Sequence, residues 1–138
     1  MLLFDAHLDL AWNAVEWNRN LDLPVAEIRN FEKHFTDEFP GPATVSYPDL
    51  RRGRIGIVIA TLLPRLHRRA KELTFYQSRA AAHGSALGQL AYYRAVCQQG
   101  SLRELSDAAA VSKHVAEWQA HLAGTGGGDS AGGPPIGF

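Results

Sequence analysis

Residues 54–63 read RIGIVIATLL, a β-branched run that carries no charge after Arg54. A strand with one wet face alternates apolar and polar residues, whereas a strand covered on both faces reads as a continuous apolar run. This stretch therefore predicts a strand of a parallel sheet with both faces buried. On its N-terminal side, residues 1–8, MLLFDAHL, read as another buried strand. Alternation puts Leu2, Phe4, Ala6 and Leu8 on one side, and Leu3, Asp5, His7 and Asp9 on the other. Residues 11–19 are a short helical or irregular segment in which Trp12 and Trp17 serve packing. After Pro24, residues Val25, Ile28, Phe31 and Phe35 recur at near-helical spacing and predict an amphipathic helix at about 24–35. Residues 39–48, FPGPATVSYP, hold three prolines and a glycine and read as loop or turn.

On the C-terminal side, the basic segment PRLHRRAKE precedes a long helix expected at about 75–99. Tyr76, Ala80, His83, Gly84, Leu87, Leu90 and Ala91 fall on its inner stripe, and Gly100 is its stop. A second helix is expected at about 107–122, capped by Ser106 or Asp107, with Val111, Val115, Trp118 and Leu122 facing inward. GTGGGDSAGGPP, residues 124–135, reads as a flexible connection, and IGF, residues 136–138, opens a further strand. Strand, crossover, buried strand, helices and a new strand are the order of an α/β protein with a parallel sheet.

A chain of 138 residues is about one domain, and 46% hydrophobic with 20% charged residues is globular composition. Fourteen basic residues balance fourteen acidic ones, which argues against a general binder of nucleic acid or acidic membranes. The single cysteine, Cys97, excludes an internal disulfide framework and a thiolate-rich zinc site. No uninterrupted apolar run reaches the ~18 residues of a spanning helix. Asp5 and Asp9 stand where a signal peptide would be basic and then apolar, so the expected compartment is the cytoplasm.

The chemistry-bearing cluster is Asp5-Ala6-His7-Leu8-Asp9. His7 and Asp9 lie two apart at a strand end and point to the same side, so an imidazole nitrogen and a carboxylate oxygen can share one divalent ion, zinc being the usual occupant. Barrel enzymes keep their active sites at such strand ends. Asp5, one layer deeper, either orients a ligand or is hydrogen-bonded in the core. The competing reading is that His7 and Asp9 simply cap a loop. Elsewhere, Arg65, His67, Arg68, Arg69 and Lys71 read as a solvated loop without the aromatic ladder of a nucleic-acid site. His114, Glu117 and His121 read as a polar outer helix face, His83 as a packing histidine and Cys97 as an inert buried thiol. The glycine-rich connection lacks the Lys-Ser/Thr of a phosphate loop.

DAHLDL at the start of the chain resembles the D-G-H-N-D-L signature of the membrane dipeptidase (renal dipeptidase) family of zinc metallopeptidases. Residues 48–56, PDLRRGRIG, are similar to that family's D-L-x-x-L-x-x-G-x-V-G entry into its second strand, and GQLAYYRA (88–95) and PPIGF (134–138) look like its bacterial members. The resemblance runs in order along essentially the whole chain. It implies a metal-dependent-hydrolase-type (β/α)8 barrel holding two zinc ions and hydrolysing dipeptides or small amides, with His7 and Asp9 as ligands of one zinc. Ala6 stands for the usual glycine and Leu8 for the usual asparagine, which alters the pocket lip without removing a ligand. The family's bridging glutamate ends its third strand and its further histidine ligands follow later, so residues 1–138 are expected to form the N-terminal portion of one barrel domain, truncated at the start of the third strand and inactive alone. A barrel of this type takes ~250 residues, which points the same way. Three strands with an open edge also lead us to expect self-association. Two alternatives stay open: another metal-dependent amidohydrolase, which usually carries H-x-H where this chain has Asp9, and a metal-free module that binds a partner through its open sheet edge.

Overall fold

The computed structural model describes residues 1–35, 41–65, 76–124 and 132–138. Its elements run β1 (Leu3–Leu8), α1 (Leu10–Glu16), α2 (Val25–Glu32) with a 3-10 turn at Lys33–Phe35, α3 (Tyr47–Arg52), β2 (Ile55–Ala60), α4 (Arg79–Gln99), β3 (Leu102–Arg103), α5 (Ala108–Leu122) and β4 (Ile136–Gly137). The strands form one sheet in the order β1-β2-β4-β3, with every pair parallel. The architecture is therefore α/β, as the order of elements in the sequence predicts. β3 was not expected. Leu102 pairs with Ile136, so β4 lies between β2 and β3 and is not an open edge. Among the described residues no helix is long and apolar enough to cross a membrane.

The helix limits follow from capping. Side chains of Ser46, Ser78 and Asp107 accept hydrogen bonds from the N–H groups of Asp49, Ala81 and Ala110, satisfying donors that a first turn otherwise leaves open. The Ser78 cap starts α4 at Arg79, four residues after its expected start; Phe75 lies outside the described residues. The Ser46 cap, with Pro48 in the first turn, starts α3 inside the stretch expected to be loop. Gly100, at φ 86°, ends α4 in a left-handed conformation that costs glycine nothing. Most of the expected basic loop, His67 to Lys71, and most of the glycine-rich connection, 125–131, lie outside the described residues.

Polar contacts hold the long crossover from β1 to β2 in place. Arg19 and Glu32 form a buried ion pair at 2.6 Å, and Arg19 also donates to Asn13 Oδ1 and to the Gly41 carbonyl. The second Glu32 oxygen accepts from the Ala43 N–H, so the pair is buried with partners for both charges. Arg51, on α3, donates to the Pro134 and Ser101 carbonyls and ties the crossover to β3 and β4.

Packing differs from the periodicity in four elements. β2 is covered on one face only: Gly56 and Val58 are buried, but Ile59 is 52% exposed. Phe4, on the edge strand β1, is 58% exposed. α4 is rotated relative to its apolar stripe, burying Gln89, Tyr93 and Val96 and exposing His83 and Leu87. α5 is rotated too. His114 is fully buried with Trp118, whereas Val111 and Leu122 are exposed. The expected outer face of His114, Glu117 and His121 therefore holds only for His121; Glu117 is partly buried and paired with Arg103.

Hydrogen bonding decides both rotations. His114 Nε2 donates to the Gly56 carbonyl at 2.8 Å, leaving Nδ1 as the acceptor facing Arg103. A Cβ on Gly56 would stand 2.4 Å from Leu2 and 2.9 Å from the Trp118 ring, so the glycine is what lets α5 lie close to β2.

Two outcomes are expected. Gly56→Ala forces Leu2 and Trp118 apart and destabilises the chain by about 1–3 kcal/mol in a denaturant melt. Burial, reinforced by the Arg103 guanidinium and opposed by the Gly56 carbonyl, holds the His114 pKa below its ordinary value. The unfolded chain thus binds the proton first, and this contribution to stability is present above pH ~6.5 and lost as pH falls through the folded value. Melting temperature should drop between pH 7 and 5, and less steeply in His114→Gln; equal slopes in the two proteins would refute this.

Candidate metal centre

Parallel pairing sets the C-terminal ends of β1 and β2 side by side, with Leu8 opposite Ala60 and the Thr61 N–H donating to the Leu8 carbonyl at 3.1 Å. Two side chains at the end of β1 meet there. His7 Nε2 lies 3.4 Å from Asp9 Oδ1, with the His7 side chain 71% exposed and that of Asp9 25%. Donors ~2.0–2.2 Å from a tetrahedral zinc stand ~3.3–3.5 Å apart, so the two atoms already have the spacing of neighbouring ligands on one ion.

Asp9 occupies the N-cap position of α1 but makes no capping hydrogen bond. Its carboxylate instead accepts from the Thr61 hydroxyl, leaving the N–H of Ala11, in the first turn, to donate to the Tyr93 hydroxyl at 3.1 Å. The carboxylate therefore does not cap α1; it ties the end of β1 to the first residue after β2. Asp5 Oδ1 accepts from the His7 backbone N–H at 2.9 Å; it holds the strand end and does not touch the imidazole.

α4 supplies the rest of the frame. Gln89 accepts from the Leu63 N–H at 2.7 Å and donates to the Leu63 carbonyl at 3.2 Å, fixing the segment after β2. The Tyr93 hydroxyl donates to the Thr61 carbonyl at 3.0 Å. Burial pushes the Tyr93 pKa up to about 12, which keeps that hydroxyl protonated and able to donate. Nearby, the Arg65 guanidinium lies 4.4 Å from the centre of the Trp12 ring, so the described member of the basic run packs on an aromatic face.

Thr61, Gln89 and Tyr93 are absent from the sequence-derived site. Thr61 carried one usable signal, as the first polar residue after the apolar run. Gln89 and Tyr93 carried none, because nothing local marks a polar helix residue as buried. Among the described residues no group of three or more His, Cys, Asp or Glu side chains is arranged to hold a metal ion, so His7 and Asp9 stand as a pair. The other lead candidates do not join them. Cys97 is half-buried with its thiol pKa raised by burial, and His83 lies exposed on α4.

Asp49, the acid of the PDLRRG stretch, has a different duty. It accepts from the Val25 N–H at 2.7 Å and from the Ser46 hydroxyl at 2.8 Å, and these bonds hold its carboxyl below the usual carboxylate range. The chain matches no family model, no curated protein and no solved structure.

The two acids should separate in a melt. Asp49→Ala removes the anchor of two helix starts and costs about 1–2 kcal/mol, whereas Asp9→Ala, which caps nothing, costs less. A larger loss for Asp9→Ala would mean that its carboxylate is structural.

Proposed function

We propose that this chain is the opening portion of a (β/α)8 barrel of the zinc-dependent dipeptidase class, with His7 and Asp9 as two ligands of one zinc ion. The observation that carries the reading is the 3.4 Å approach of His7 Nε2 to Asp9 Oδ1 at the C-terminal ends of parallel strands, by a carboxylate released from capping. The resemblance of DAHLDL and PDLRRGRIG to the dipeptidase signatures supports it. The all-parallel pairing and the exposed Ile59 are compatible with it, although the order β1-β2-β4-β3 sets the two-residue strand β3 where a barrel would place its next strand.

Bound zinc would supply Lewis-acid polarisation of the carbonyl of a dipeptide or small amide. The chain's own residues bind and orient. His7 offers an imidazole nitrogen from an exposed position, and Asp9 offers a carboxylate oxygen. Thr61 turns the Asp9 carboxylate, and Asp5 pins the His7 backbone. A catalytic zinc site takes three protein ligands and a water, so this pair does not complete one. The reading of a metal-free module draws on the exposed β1 edge, and metal uptake decides between the two.

Equilibrium dialysis against zinc should give the chain about one more bound ion than His7→Ala or Asp9→Ala retains. Equal uptake by all three proteins would remove the metal-site reading. Against a panel of dipeptides the zinc-loaded chain should show no turnover. Chelator-sensitive hydrolysis lost in His7→Ala would show that these residues suffice. In a protein that carries the remaining ligands, Asp9→Ala should reduce turnover and metal content together, and far more than Asp49→Ala.

A further inference from the structure

We infer that Tyr93 and Thr61 are positioning residues that keep the Asp9 carboxylate available to a divalent cation, an inference that rests on the metal-site reading above. An aspartate at an N-cap ordinarily turns back to accept the N–H of the second or third helical residue. At α1 the second such residue is Ala11, and its N–H already donates to the Tyr93 hydroxyl at 3.1 Å. The same hydroxyl donates to the Thr61 carbonyl at 3.0 Å. Thr61 in turn bonds to both parts of the β1 end: its N–H donates to the Leu8 carbonyl and its hydroxyl donates to Asp9 Oδ1. The sequence-distant helix α4 thus takes over the capping of the Ala11 N–H, and the residue that follows β2 sets the direction of the carboxylate.

The consequence is specific. In Tyr93→Phe the Ala11 N–H loses its acceptor, and the cost of a buried donor left without a partner draws the Asp9 carboxylate into the ordinary capping position and away from His7. In Thr61→Val the carboxylate keeps its charge and loses its orienting donor, the kind of change that costs ~10–100-fold in metal affinity. Neither variant removes a ligand.

The test is zinc equilibrium dialysis of the whole chain, reading only the ion that depends on both His7 and Asp9. Thr61→Val and Tyr93→Phe should weaken that binding by about tenfold or more, and Thr61→Ser, which restores the hydroxyl, should bind within about threefold of the unaltered chain. Amide exchange adds a readout that simple loss of packing does not give: the Ala11 N–H should stay protected in Tyr93→Phe and lose protection when Asp9→Ala is added. Unchanged affinity in both Thr61→Val and Tyr93→Phe, beside His7- and Asp9-dependent binding by the unaltered chain, would overturn the positioning role and leave the metal site standing. Absence of such binding in the unaltered chain would overturn both. Should Tyr93→Phe fail to fold, the Thr61→Val and Thr61→Ser pair decides.

Discussion

The hydrogen bond from the Thr61 N–H to the Leu8 carbonyl closes the parallel pairing of β1 with β2, and the chemistry of the molecule depends on that pairing. Parallel neighbours cannot be joined by a tight turn, so the chain must travel through a crossover and return at the same end of the sheet. Here the crossover contains α1, α2 and α3, and its buried ion pair Arg19–Glu32 is satisfied on both sides. The return sets Thr61 beside Asp9. Without it, His7 and Asp9 would be two polar residues at a frayed strand end.

A second layer of dependence runs through buried polar groups on helices. Gln89 and Tyr93 fasten the ends of the strands from α4, and His114 fastens β2 from α5. Each sits where an apolar residue would satisfy the hydrophobic effect alone. Each is there because a strand-end carbonyl or N–H would otherwise be buried without a partner, at a cost comparable to that of an apolar contact. This explains why Leu87, Val111 and Leu122 face outward while polar neighbours face in.

The two aspartates show how similar residues separate in role. Asp49 stands at the start of a helix and spends its carboxylate on the N–H of Val25 and the hydroxyl of Ser46. Asp9 also stands at the start of a helix, yet the Ala11 N–H that it would cap is taken by Tyr93, 82 residues beyond Ala11. A carboxylate released from helix capping and set beside an imidazole is what the proposed zinc site would use, and this supports the dipeptidase-like proposal for DAHLDL.

Much of this was legible in the residues. RIGIVIATLL and MLLFDAHL marked two strands of a parallel sheet, although the cover expected on both faces is not there and Ile59 and Phe4 stay exposed. Asp107 and Gly100 marked helix ends because their own side chains, or the lack of one, act on the nearest backbone groups, whereas the Ser78 cap of α4 was not read from the sequence. The pairing of His7 with Asp9 followed from the two-residue period of a strand. These are local effects, carried by residues a few positions apart. The rotation of α4 and α5, the two-residue strand β3, the open face of β2 and the partnership of Thr61 with Asp9 were not legible. Each depends on a group distant in sequence: the Gly56 carbonyl for His114, Ile136 for Leu102, the helical layer for β2, and the Leu8 strand end for Thr61. Periodicity counts apolar side chains along one element, whereas the fold must also satisfy every buried donor and acceptor, and those partners meet only once the chain has closed on itself.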